Sequence, residues 1–124
     1  MAKTGNWDEL ELIMPKLEAF AVSGPFIQQN ECQLKLAYIR ALKAFHHGDY
    51  VTAIEKCSWM LNNYHMEFDW LKGFAQLLRG QSYDMLGKRD LAVKDYKEVL
   101  KMDEYYPEVE DARKLLKKLF VVKN

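Results

Sequence analysis

"RGQSYDMLGKRDLAVKDY", residues 79–96, holds two glycines seven positions apart, followed by an alanine and a tyrosine at helical spacing. Glycine inside a helix is less favourable than alanine by about 1 kcal/mol. Gly80 therefore predicts a point where another helix comes too close for a side chain. Gly87 predicts a helix end, where glycine accepts a left-handed backbone. A helix, a glycine turn and a second helix folded back on the first satisfy both requirements.

The chain contains the same arrangement once more. Ala41 aligns with Gly80, Gly48 with Gly87, Ala53 with Ala92, Cys57 with Tyr96, Met60 with Val99 and Leu61 with Leu100, all at a displacement of 39 residues. Self-similarity of this kind marks stacked supersecondary units, because one helical hairpin cannot bury its apolar face alone.

Residues 34–104 resemble the tetratricopeptide repeats, whose pattern runs W-x2-L-G-x2-Y, then A-x3-F, then P in a unit of about 34 residues. In the second unit Gly80, Tyr83, Ala92 and Tyr96 match and Gly87-Lys88-Arg89-Asp90 fills the turn, whereas Gln76 and Arg79 replace the tryptophan and leucine. In the first, "AYIRALKAFHHGDYVTAIEKC", Ala41, Gly48, Asp49, Tyr50 and Ala53 are in place, while Ala37, Arg40, Ala44 and Cys57 depart. His65 and Glu104 stand where the family has proline.

The resemblance implies an all-α fold, a tetratricopeptide-like right-handed stack of two helical hairpins with an N-terminal helix and a C-terminal capping helix. The expected division is one domain over 1–124, with an N-terminal helix at 7–22, repeats at 31–62 and 71–104, and a capping helix at 107–120. In such arrays the first helix of each unit lines a concave groove that holds a peptide or helix. Carried over position by position, the groove would be lined by Lys35, Tyr38, Leu42 and Phe45 from the first unit and Phe74, Leu77, Gln81 and Asp84 from the second. Tyr38, Leu42 and Phe45 share a helical stripe by spacing alone. Family members that clamp a terminal carboxylate carry lysine and asparagine where this chain has Tyr38 and Leu42, so a clamp of that kind is not expected. A groove open to a partner and one covered by the chain's own N-terminal helix both remain open readings.

Outside the repeats, Leu10, Ile13, Met14, Leu17, Phe20 and Ala21 follow helical spacing after Asn6, an N-cap residue with Glu9 three positions on. Pro15 predicts a kink, Gly24-Pro25 a stop, and Asn30 the neighbourhood of the next helix start. The 39-residue offset exceeds the family unit by about five residues, which places an extended connection at Asn62–Gly73. Its Met66, Phe68 and Trp70 either plug the gap between units or form a ridge for a partner. Pro107 opens the last helix, with Val109, Ala112, Leu116 and Leu119 on one stripe and acids early and lysines late, as the helix dipole favours.

The 124 residues are 49% apolar, and 18 basic side chains balance 18 acidic ones. The size suits one domain with a core, and the charge balance offers no footprint for nucleic acid or an anionic membrane. Lys88, Arg89, Lys94, Lys97 and Lys101 interleave with Asp84, Asp90, Asp95, Glu98 and Asp103, a pattern of solvated helix faces with i, i+4 pairs rather than an RNA track. Lys114, Lys117 and Lys118 suit a helix C-terminus. No apolar run would span a bilayer and no signal-peptide-like start is present, so the expected location is the cytoplasm.

Cys32 and Cys57 lack metal or redox spacing and are expected to be reduced. His46-His47 are adjacent on a helix and point apart, so no metal site is expected there. With no nucleophile motif and no phosphate-cradling loop, the expectation is a protein that is not an enzyme and takes no cofactor. The function expected is a non-catalytic interaction module or adaptor for a protein or peptide partner. The alternative is a structural self-assembly or scaffold domain of a larger repeat protein, whose apolar faces join copies of the chain into a homo-oligomer or meet neighbouring repeats of the parent.

Overall fold

The computed structural model describes residues 12–16, 18–19, 26–64, 69–102 and 106–118, giving the backbone alone for 26–28, 69 and 70. All regular structure among them is α-helical. Helical turns at 12–16 and 18–19 are labelled α1; α2 is Phe26–His46, α3 Tyr50–Asn63, α4 Asp69–Met85, α5 Arg89–Val99 and α6 Pro107–Lys117. Among the described residues no helix is long and apolar enough to cross a membrane.

Two turns organise the chain. Gly48 and Gly87 adopt φ of +81° and +75° and end α2 and α4. Asp49 N donates to Ala44 O at 2.8 Å and Lys88 N donates to Tyr83 O at 2.8 Å. The equivalent bonds, 39 residues apart, satisfy carbonyls that the helix ends would otherwise leave open. The turns then diverge. The Asp49 carboxylate accepts from Thr52 N at 3.2 Å and caps α3, whereas Lys88 offers α5 no side-chain cap.

Several boundaries move. Helix α2 begins at Phe26, four residues before the expected Asn30, because Phe26-Ile27-Gln28-Gln29 contains nothing that stops a helix. The connection at Asn62–Gly73 is shorter than expected: α3 runs through Asn63 and α4 starts at Asp69. The surplus over the family unit thus goes largely into helix, where Leu71 and Gly73 are buried. The final helix stops at Lys117 rather than 120, with Lys118 in extended conformation. Pro15 lies within the helical turns of α1. Asn6, Glu9, Leu10, Leu17, Phe20, Ala21, Gly24, Pro25, Met66, Phe68, Asp103, Glu104, Leu119 and the Trp70 side chain lie outside the described residues.

The helices form two layers. Helix α2 meets α4 and α4 meets α6 in one, while α3 packs on α2 and α4, and α5 on α4 and α6, from the other side. Leu34, Ala41, Cys57, Met60, Leu71 and Leu78 make one core cluster, and Leu77, Ala92, Tyr96, Val99, Val109 and Ala112 make a second. Gly80 sits where α4 crosses α5: a Cβ there would lie 2.5 Å from Tyr96 Cε1.

Both cysteines are free thiols and buried. Burial, opposed by the Arg79 charge and assisted by Asp95, pushes the Cys57 thiol up to about 12. Since the thiolate is the reactive form, Cys57 in a Cys32→Ala background should resist iodoacetamide at pH 8 and become alkylated in denaturant. Rapid labelling of the folded protein would contradict the burial described.

Candidate functional site

The eight residues assigned to a groove separate into three kinds. Leu42 and Leu77 belong to the core, with 8% and 6% of their surface exposed, and they support the α2/α4 side from beneath. Lys35 is accessible and pairs with Glu31 at 2.8 Å, and Gln81 is half-buried. Tyr38, Phe45 and Phe74 are half-buried and rest on the first core cluster. The Tyr38 and Phe74 rings meet at 5.5 Å, joining α2 to α4, and Phe45 meets Tyr50 edge-on at 5.3 Å.

Asp84 departs from its expected role as a contact for a peptide backbone. Its side chain is fully buried and its Oδ2 accepts from Tyr96 Oη at 2.7 Å and from Arg89 Nη1 at 2.8 Å. Arg89 Nη2 in turn donates to Leu115 O at 2.7 Å and Leu116 O at 3.2 Å, which satisfies carbonyls in the last turn of α6. Asp84 therefore ties α4, α5 and α6 together. Burial first, then the bond to Asp84, holds the Tyr96 phenol well above its ordinary pKa.

The described part of α1 lies to one side of this surface. Met14 packs on Cys32 and Leu36, and Glu18 meets Arg40 at 3.4 Å. At 100° per residue, Cys32, Leu36 and Arg40 form a stripe about 150° around α2 from that of Tyr38, Leu42 and Phe45.

On the opposite face, α3 and α5 flank a cleft of about 490 Å³ floored by α4 and edged by Tyr64, Lys72, Tyr83 and Lys94. Its floor is polar. Asp95 Oδ1 accepts from Gln76 Nε2 at 2.8 Å and Arg79 Nη2 at 2.7 Å, its Oδ2 accepts from Arg79 Nε at 2.9 Å, and Arg79 Nη1 donates to Ser58 Oγ at 3.1 Å. Gln76 and Arg79, the two departures from the tetratricopeptide pattern, are thus the donors for one carboxylate. Asp95, read from the sequence as part of a solvated face, is 3% exposed. The physical reason is its forked partner: a guanidinium supplies two parallel donors that compensate the carboxylate for lost water.

Glu108 stands in the first turn of α6. It is 4% exposed, and its Oε2 has no hydrogen-bond partner among the described residues. Its Cδ would stand 3.8 Å from a Cβ placed on Gly73. Burial first, then the Cys57 thiol and the Glu108 carboxylate, raise the Tyr38 phenol well above its ordinary pKa. A charge in the first turn satisfies the helix dipole whichever way it faces, so no sequence signal distinguishes a buried acid from a solvated one there. Among the described residues no group of three histidine, cysteine, aspartate or glutamate side chains converges as a metal site would require. Comparisons of the chain with family models, with curated proteins and with solved structures returned no match.

Proposed function

We propose that the chain is a tetratricopeptide-like, non-catalytic interaction module that holds a peptide or helix of a partner protein along the α2/α4/α6 side. The observation that supports this most is the Tyr38–Phe74 pair: two aromatic rings from successive first helices, touching at 5.5 Å yet only half-buried. Aromatic side chains held in place by a core beneath them supply contact area at little entropic cost, which is what the centre of an interface needs. Gln81 and Lys35 add polar groups on the same helices that can meet a partner's backbone.

Panning a random peptide library against the chain tests this reading. Selected peptides should lose at least tenfold in affinity for the double variant Lys35→Glu/Gln81→Arg, neither position belonging to a core cluster, and keep it for Lys97→Glu at an exposed position of α5. Leu42 is unsuitable for such a test, since a charge at this buried position would unfold the protein. Peptides indifferent to the double variant would reject the α2/α4/α6 side as the binding surface. A stable dimer in light scattering whose interface covers Tyr38 and Phe74 would favour the scaffold reading.

A further inference from the structure

We propose that the cleft between α3 and α5 is a second interaction surface, which receives an acidic peptide segment of a partner protein through Lys72 and Lys94. The cleft lies on the face opposite Tyr38 and Phe74, so this inference does not rest on the interaction role given above. Its volume of about 490 Å³ falls within the roughly 300–1,000 Å³ of clefts that hold ligands. Helix α4 floors it with Lys72, Gln76 and Arg79, and α5 walls it with Lys94, Asp95 and Glu98. Lys94 is exposed and Lys72 half-buried.

The charges lining this cleft are not matched. Both carboxylates are already answered: Asp95 by Arg79 and Gln76, and Glu98 by Lys101, whose Nζ lies 3.0 Å from Oε2 and 3.2 Å from Oε1. Arg79 is engaged as well, with Nε and Nη2 on Asp95 and Nη1 on Ser58. Lys72 and Lys94 form no ion pair or hydrogen bond among the described residues. Two ammonium groups from different helices thus line one cleft without a counter-charge. Their field is felt by the acid already there: the bond to Lys101, then the charges of Lys101, Lys72 and Lys94, hold the Glu98 carboxyl below its ordinary range. A carboxylate brought in from outside would be attracted in the same way, whereas a cationic segment would meet like charge. The guanidinium fork that suits a phosphate is closed on Asp95. What remains, single ammonium groups on separate helices, suits carboxylates carried along a chain better than one compact oxyanion. Tyr64 and Tyr83 also line the cleft, with hydroxyls able to donate to a peptide.

The test uses N-acetyl-tetraglutamate amide as the probe, N-acetyl-tetraglutamine amide as the uncharged control, inorganic phosphate as the competing anion, and amide chemical shifts of the whole chain as the readout. The glutamate peptide should produce saturable shifts at Lys72, Arg79, Leu91 and Lys94 that the glutamine peptide does not, a comparison that needs no variant. Sodium chloride at about 1 M, which screens charges within roughly 3 Å, should weaken the binding at least threefold. Lys72→Gln/Lys94→Gln should weaken it at least fivefold and leave the unfolding midpoint unchanged, since neither lysine holds a partner in the fold. Lys114→Gln/Lys117→Gln, which removes the same charge from exposed positions of α6, should leave the binding intact. Equal shifts from tetraglutamine, binding that survives Lys72→Gln/Lys94→Gln, or the absence of saturation overturns the proposal. So does inorganic phosphate that displaces the peptide at equal or lower concentration, which would make the cleft a reader of compact oxyanions. Shifts confined to Tyr38 and Phe74 would support the α2/α4/α6 side and overturn the cleft.

Discussion

Asp95→Ala is expected to destabilise the fold by about 3–5 kcal/mol, the range for removing one partner of a buried ion pair. The carboxylate receives three donors from α4, two from Arg79 and one from Gln76, at 2.7–2.9 Å. Truncation leaves a guanidinium whose side chain is 22% exposed and a buried amide without their acceptor, and neither can turn fully to water. The loss therefore exceeds the worth of the bonds themselves. The double variant Arg79→Met/Asp95→Leu should recover at least half of it, because exchanging both members of a buried pair for apolar side chains of similar volume is often near neutral. Urea denaturation at pH 7 reads both. An Asp95→Ala midpoint within 1 kcal/mol of the parent would mean that water replaces the carboxylate at the floor of the cleft.

Gly80→Leu is expected to cost about 3 kcal/mol net, at the upper end for overpacking, even though leucine is better than glycine in a helix by nearly 1 kcal/mol. The two effects oppose each other, and the geometry decides the sign. A Cβ at residue 80 would stand 2.5 Å from Tyr96 Cε1 and 2.9 Å from Cδ1. The ring cannot retreat, since Tyr96 is 0% exposed and its hydroxyl is held at 2.7 Å by Asp84. Gly80→Ala should show the same sign at about 1–2 kcal/mol, the clash of one methyl less the propensity gain. In a Tyr96→Leu background, where the ring is gone, the Gly80→Ala penalty should shrink or reverse. A raised midpoint for Gly80→Leu in the parent protein would show that α4 and α5 stand further apart at this crossing.

The candidate surface was only partly legible. Tyr38 follows from spacing as well as from the family resemblance, since a helical stripe reports which residues share a face, and Phe74 follows from the resemblance alone. Depth beneath that face is a different property: Leu42 shares the stripe of Tyr38, and Leu77 was carried over beside Phe74, yet both are core. Asp84 was misplaced because a local pattern of alternating charge cannot reveal that its partners, Tyr96 and Arg89, arrive from α5. Gln76 and Arg79 looked like defects in a motif because their common acceptor, Asp95, is supplied 16–19 residues later.

By itself, the sequence determined the helical class, the two hairpin turns and the crossing at Gly80. These depend on backbone properties that few residue types satisfy: a positive φ at Gly48 and Gly87, a missing side chain at Gly80, and apolar periodicity between them. The tertiary structure alone decided which charges are buried and with whom. Asp95 and Glu108 are both acids on amphipathic helices and look alike in one dimension. One is enclosed with a forked guanidinium, and the other is buried with an oxygen that no donor reaches among the described residues. A charge's state depends on the donors that reach it through space, and helix packing brings those donors from distant parts of the chain.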